Sequence, residues 1–154
     1  MVRLYFTEMP RLPDRKAMRA AEHAAGRRLV CEALGCLEDD IRIRDDGKPY
    51  LPGGPHFSIS HCESYGCSHC GGLVLLAVSG AGEIGCDVEP ADRPLHNEEA
   101  IRKKIAAPGE EGIPLLKLWV KKEAVFKAGG PGEVFYPEVP AGFIAAVCCR
   151  EEEP

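Results

Sequence analysis

The sequence lacks any uninterrupted apolar run long enough to cross a bilayer, which excludes a conventional membrane-spanning helix. It also lacks the apolar stretch near the N-terminus that signal peptides carry, so we expect a cytoplasmic protein. Positive charge is not in excess, because 24 acidic residues outnumber 19 lysines and arginines and the net charge is −5. Nonspecific nucleic-acid binding needs basic surface to displace counterions. We therefore expect neither a membrane nor a nucleic acid as a partner.

Repeats and low-complexity tracts are also absent, and 154 residues suffice for one domain rather than two. Hydrophobic periodicity predicts a single α+β domain, residues 1–154, with a mainly antiparallel sheet packed against two or three helices. The expected strands are 2–6, 41–44, 57–61, 73–78, 84–88 and 143–149, and the expected helices are 14–35, 98–106 and 114–128. The glycine-containing link 79–82 predicts a hairpin between the strands on either side of it.

Two carboxylates, Asp87 and Glu89, lie two residues apart on a predicted strand, so their side chains leave the same face of the sheet. Cys86 and Val88 then point into the core. Paired carboxylates repel each other unless a cation or lysine lies between them, and hard oxygen ligands favour Mg²⁺. A solvated pair on an edge strand is the alternative interpretation.

The third predicted helix carries Glu123 and Lys127 four residues apart, along the edge of an apolar face. The residues expected on that face are Leu115, Leu118, Trp119, Val125 and Phe126. A Glu–Lys pair at this spacing can also be a surface ion pair contributing about 0.2–0.5 kcal/mol. Lys122 falls on the apolar side, where a lysine needs an anionic partner, either a phosphate or the Asp87/Glu89 pair.

Ser60 and His61 end a short predicted strand. No acid is placed to orient the imidazole and no nucleophile elbow surrounds the serine, so a Ser–His nucleophile–base pair is not indicated. Contacts to phosphate oxygens fit these two side chains better. A strand-end hydroxyl and a surface imidazole without function remain the alternative.

Several motifs in this order resemble the 4′-phosphopantetheinyl transferases of the Sfp type. They are GKPY at 47–50, FSISH at 57–61, IGCDVE at 84–89 and WVKKEAVFKA at 119–128, followed by the closing strand GFIAAVC at 142–148. The resemblance covers most of the chain from about residue 41 to 149. It implies the α+β fold of that family, with a shortened second pseudo-repeat because the segment 129–142 is shorter than usual.

The resemblance also implies an activity: Mg²⁺-dependent transfer of 4′-phosphopantetheine from coenzyme A (CoA) to a serine of an apo acyl or peptidyl carrier protein. Asp87, Glu89 and Glu123 would hold Mg²⁺ on the CoA pyrophosphate, and Glu123 would act as general base. Lys127 would stabilise charge on the pyrophosphate and on the leaving group. With Lys122, these residues form the acid–lysine half of the expected site.

The nucleotide half of the expected site lies elsewhere in the sequence. Ser60 and His61 would contact the 3′-phosphate of CoA, while Lys48 and Pro49 would border the adenine. Where the family usually has an arginine on the first helix, this chain has Ala24, so Arg19, Arg27 or Arg28 is expected to take over the phosphate contact.

Two alternatives remain open at this level. The first is a degenerate relative that binds CoA or a carrier protein without transferring anything. The second is a zinc or redox sensor built on the cysteine-rich segment after His61, which contains Cys62, Cys67, His69 and Cys70. Zinc sites usually combine two cysteine pairs, and this segment supplies one.

Overall fold

The computed structural model describes residues 1–64 and 70–151. The strands are β1 (Val2–Met9), β2 (Arg42–Ile43), β3 (Pro49–Tyr50), β4 (His56–Glu63), β5 (Gly72–Ser79), β6 (Ile84–Pro90), β7 (Glu133–Phe135) and β8 (Phe143–Cys149). The helices are α1 (Arg15–Leu34), α2 (Glu98–Ile105) and α3 (Leu115–Lys127), with a 3₁₀ turn at Glu38–Asp40. Across this described part of the chain, no helix combines the length and the apolar character that crossing a membrane requires.

The strands form three antiparallel sheets, which confirms the predicted α+β class. The first has the order β1–β5–β4, the second is the β2–β3 ribbon, and the third has the order β6–β8–β7. The hydrophobic core between the first and third sheets includes Leu73, Leu75, Cys86, Val88 and Val147. The predicted strand 41–44 is shorter than expected, because only Arg42 and Ile43 pair with β3.

The predicted hairpin across residues 79–82 is wrong, because β5 and β6 belong to different sheets. β5 is the central strand of its sheet: it pairs with β1 along one edge and with β4 along the other. Both of its backbone edges are therefore used, and β6 pairs with β8 instead. Residues 80–83 carry the chain from one sheet to the other.

Serine hydroxyls join β4 to β6 where the two sheets meet. The Ser58 hydroxyl accepts from the backbone N–H of Cys86, and the Ser60 hydroxyl accepts from the backbone N–H of Val88, each at 3.1 Å. The partners advance by two residues on both strands, so β4 and β6 run in the same direction here. The two serines of β4 therefore hold the backbone of β6 on both sides of Asp87. This places Asp87 beside Ser60.

Helix α1 begins and ends where the sequence predicts. The side chain of Asp14 accepts from the backbone N–H of Ala17 at 2.8 Å, and Gly35 ends the helix in the left-handed conformation that glycine favours. On its packed side Glu22 and Ala25 are buried, whereas Ala24 is exposed. The buried side also includes Gly26, where an added Cβ would lie 3.1 Å from the side chain of Ile59.

Helix α3 packs against the third sheet through a different face from the one predicted. Its buried positions include Leu118, Val120 and Ala124, whereas Trp119 is half-buried and Phe126 is 81% exposed. The placement of Phe126 in the apolar face was therefore wrong. The small side chain of Ala124 faces the sheet. Phe126, two residues further along the helix, therefore points toward solvent.

Candidate active site

Asp87 lies in the middle of β6 and is only 6% exposed. Its Oδ1 accepts hydrogen bonds from the Ser60 hydroxyl at 3.2 Å and from the Lys127 ammonium at 3.0 Å. Its Oδ2 is buried and has no hydrogen-bond partner among the described residues. Burial raises the pKa of Asp87 even though Lys127 and Ser60 act to lower it. The surroundings of this carboxylate therefore supply less positive charge than its ionised form needs.

Glu89 lies on the same face of β6, and Cys86 and Val88 lie in the core, as strand alternation predicts. Burial raises the pKa of Glu89 to about 7; the Arg93 guanidinium opposes this shift, and nearby Asp87 and Glu123 add to it. Arg93 forms an ion pair with Glu89, and its guanidinium lies 5.2 Å from the centroid of the Trp119 ring.

Gly85 allows α3 to lie directly on β6. A Cβ at this position would be 2.1 Å from the carbonyl oxygen of Ala124, closer than any side chain can approach. The short distance between strand and helix brings Lys127 to Asp87 and places Glu123 within electrostatic range of Glu89. The fold thus brings the three predicted carboxylates and Lys127 to neighbouring positions.

The predicted magnesium ligands fit a divalent cation chemically, although they are not arranged as a ready-made metal cage. Within residues 1–64 and 70–151, no group of three His, Cys, Asp or Glu side chains has the geometry to hold a metal ion. However, Oδ2 of Asp87 has no hydrogen-bond partner there, and neighbouring carboxylates raise the pKa of Glu89. A hard divalent cation would supply the missing positive charge. The metal-binding role of Asp87, Glu89 and Glu123 remains a prediction.

A groove runs beside Lys127, at one end of the carboxylate cluster. One cavity of about 570 Å³ is lined by Lys48, Pro49, Lys127, Phe126 and Arg150, among others. A smaller cavity of about 190 Å³ is lined by His61, His23, Arg27 and Glu22. Gly47, Pro49 and Ile59 line both cavities, so the two are neighbouring parts of one surface.

This groove brings together several residues that the sequence predicted. Lys48, Pro49 and Lys127 line the larger part, and His61 lines the smaller part. Of the three arginines expected to contact phosphate, Arg27 lines the smaller cavity. Ser60 is instead 4% exposed, and its hydroxyl is engaged by Asp87 and by the backbone of Val88.

Lys48 fixes the β2–β3 ribbon to the rest of the site. Its ammonium donates to Glu83 at 2.9 Å and to the backbone carbonyls of Ile84 and Lys127 at 2.8 and 3.0 Å. Burial alone would raise the pKa of Glu83, but hydrogen bonds from Arg44 and Lys48 outweigh it and hold that pKa at about 2. Glu83 therefore stays ionised and anchors the wall of the larger cavity.

Lys122 has its anionic partner inside the protein. Its ammonium lies 2.7 Å from a carboxylate oxygen of Glu110, and Lys121 lies 2.8 Å from the other oxygen. The backbone N–H of Ala107 also donates to Glu110. These bonds lower the pKa of Glu110 to about 2 and fasten the loop between α2 and α3 to α3. The predicted contact of Lys122 with a phosphate therefore competes with an existing ion pair.

We expect Glu110→Gln to lower the free energy of unfolding by about 1–2 kcal/mol at neutral pH, because the charge-assisted bonds to Lys121 and Lys122 are lost. A lowered pKa stabilises the fold above the ordinary value of 4.5, and this contribution disappears as the pH falls toward about 2. The difference between wild type and variant should therefore shrink over that interval in urea titrations. The neighbouring exposed change Glu111→Gln is the control, and a difference independent of pH would contradict this assignment.

The cysteine-rich segment is described only in part. Cys62 continues β4 and is buried against Leu73, and burial raises the pKa of its thiol. Cys67 and His69, which the sensor hypothesis requires, lie outside the described residues. Cys148 is buried while Cys149 is half-buried, as expected for neighbours that point to opposite faces of a strand.

Sequence reasoning missed four charged residues that shape the site: Glu22, Glu83, Arg93 and Glu110. The role of Arg93 could have been predicted, because it lies four residues after Glu89. A turn in which the N–H of Arg93 donates to the carbonyl of Pro90 brings the two side chains together. Glu22 lies among alanines on α1, and its burial gives no signal in the sequence. The arginine and lysine partners of Glu83 are 39 and 35 residues away in the sequence, and the two lysine partners of Glu110 are 11 and 12 residues away.

Comparison with known proteins gives the chain two curated relatives, although no protein-family model matches it. It is 28% identical over 127 residues to 4′-phosphopantetheinyl transferase AcpT of Salmonella typhimurium and 28% identical over 126 residues to the protein of the same name from Salmonella typhi. Each alignment covers 75% of this chain and 62% of the relative. The chain thus spans less than two thirds of the length of these relatives. Both comparisons confirm the resemblance drawn from the motifs.

Proposed function

We propose that this chain, a distant relative of the 4′-phosphopantetheinyl transferases, is itself such an enzyme. It would transfer phosphopantetheine from CoA to a serine of an apo acyl or peptidyl carrier protein. The observation that carries the proposal is the carboxylate cluster of Asp87, Glu89 and Glu123, which meets the groove at Lys127. Carboxylates short of positive charge next to a lysine-lined groove suit a metal-bound pyrophosphate. We place this activity in the cytoplasm.

In this proposal Asp87, Glu89 and Glu123 would hold Mg²⁺ at the pyrophosphate of CoA. When bound, Mg²⁺ neutralises negative charge on the pyrophosphate oxygens and orients them. Oδ2 of Asp87 is the available ligand atom, since Oδ1 already accepts from Ser60 and Lys127.

In the proposed reaction one phosphorus–oxygen bond forms and another breaks. The hydroxyl oxygen of the carrier serine attacks the phosphorus next to the pantetheine, and its proton passes to Glu123, directly or through a water. The bond from that phosphorus to the bridging oxygen breaks, and adenosine 3′,5′-bisphosphate leaves. Lys127 stabilises the negative charge that develops on the bridging oxygen.

Substrate placement uses the groove. Lys48 and Pro49 border the adenine in the larger cavity, and His61 contacts the 3′-phosphate in the smaller one, together with Arg27. Lys48 is held rigidly by Glu83 and two carbonyls, so its side chain serves as a wall of the adenine site. Ser60 acts indirectly, by orienting Asp87.

Intact-mass spectrometry of the carrier tests the proposal. We expect incubation with CoA, Mg²⁺ and a panel of apo acyl and peptidyl carrier proteins to add one phosphopantetheine to at least one carrier. No adduct on any carrier, with CoA binding retained, would replace the transferase with a CoA-binding module. Bound zinc that is lost in Cys67→Ser, without any adduct, would favour a sensor.

A further inference from the structure

Glu22 is a buried acid that the mechanism above does not use. It lies on α1, is 2% exposed, and has an Oε1 atom without a hydrogen-bond partner in the described part of the chain. Burying a carboxylate is costly unless it is paired and hydrogen-bonded. A hydrophobic residue would pack α1 onto the sheet without this penalty, so the acid calls for a functional explanation.

The partner of Glu22 is His61. Oε2 of Glu22 lies 2.7 Å from Nδ1 of His61, a distance at which the Nδ1–H donates to the carboxylate. The two residues come from α1 and β4, and both line the smaller cavity with His23 and Arg27. The His61 side chain is 44% exposed, so its other ring nitrogen, Nε2, is open to a ligand while Nδ1 is occupied.

Because Nδ1 is held by the carboxylate, Nε2 is the ring nitrogen that meets a ligand, and an imidazole N–H at this position can donate to an anion. The other charged groups acting on Glu22 are Glu63 and Arg19, of opposite sign. Burial raises the pKa of Glu22, and His61 opposes that rise more than Arg19 does. His61 is therefore the neighbouring group that most favours the ionised form of Glu22.

We propose that Glu22 is a positioning residue, which holds His61 with Nε2–H directed at a phosphate monoester bound in the smaller cavity. This proposal rests on the proposed function, in which that monoester is the 3′-phosphate of CoA. Glu22 itself does not touch the phosphate. Its effect reaches the ligand through the orientation of His61, whose Nδ1 it holds.

Calorimetric titration with CoA and with 3′-dephospho-CoA, in the absence of carrier protein, separates this role from a structural one. Glu22→Gln should weaken CoA binding by about 10-fold or more, because a charge-assisted bond to the phosphate is lost. Binding of 3′-dephospho-CoA should not change. Glu32→Gln, an exposed change on the same helix, is the matched control and should alter neither affinity.

His61→Ala provides a second variant in case Glu22→Gln does not fold, since His61 is substantially exposed. It should give the same selective loss, and nitrogen-15 NMR of the wild type should show a proton on Nδ1 of His61. An equal loss of affinity for both ligands, no loss in a folded Glu22→Gln variant, or the absence of a proton on Nδ1 of His61 would overturn the role of Glu22. If the wild type binds neither ligand, the proposed function itself fails, and the two failures are thus distinguishable.

Discussion

Replacing Glu123 with Gln is expected to reduce kcat/KM for holo-carrier formation by about 10²–10⁴-fold, the range typical of losing a general base. The change keeps the shape of the side chain and removes its charge, so it removes a proposed metal ligand and the proton acceptor together. The fold should survive, because the Glu123 carboxylate is half-buried and forms no hydrogen bond or ion pair with other described residues. Steady-state kinetics with a carrier that the wild type modifies, and thermal unfolding, would measure both effects.

Glu99→Gln is a suitable control for this experiment, because Glu99 lies exposed on α2 and its only described ion pair is with Lys103. It should leave both activity and melting temperature unchanged. Activity of Glu123→Gln within a few fold of wild type would remove Glu123 from the catalytic machinery and leave Lys127 and Asp87 to be re-examined.

Gly85→Ala is expected to damage stability and activity together. The new Cβ would lie 2.1 Å from the carbonyl oxygen of Ala124 and 2.4 Å from the backbone nitrogen of Ala128, and neither atom belongs to a flexible side chain. Helix α3 would have to move off β6, at a cost of about 1–3 kcal/mol or more for overpacking. The same movement would separate Lys127 from Asp87, so transfer should fall even where the protein remains folded.

Gly80→Ala is the matched control, since Gly80 lies in the link after β5 and an added Cβ meets no atom within 4 Å. It should leave the free energy of unfolding within about 0.5 kcal/mol of wild type, or raise it slightly. Urea denaturation of both variants makes the comparison. Equal stability of the two variants would show that α3 does not rest on β6 as closely as described.

Local patterns predicted those parts of the fold whose causes are local. The Asp14 and Gly35 caps set the ends of α1, the apolar run at 143–149 coincides with β8, and alternation put Asp87 and Glu89 on one face of β6. Each depends on residues within a few positions of one another. Helical phase likewise placed Glu123 and Lys127 on one edge of α3.

Features set by long-range packing could not be predicted in this way. The hairpin failed because β5 is already paired with β1 and β4, which lie far away in the sequence. Phe126 is exposed because small residues of α3 face the sheet, and the apolar character of Phe126 does not reveal this. Lys122 was correctly expected to need an anion, but Glu110 supplies it from a preceding loop.

The most direct test of the central claim counts both products of the reaction. After incubation of wild-type protein with CoA, Mg²⁺ and an apo carrier, peptide mapping should place phosphopantetheine on a serine of the carrier. Adenosine 3′,5′-bisphosphate should be released in equal molar amount. Release of the bisphosphate without a modified serine, or neither product despite CoA binding, would contradict the assignment of this carboxylate cluster to phosphopantetheine transfer.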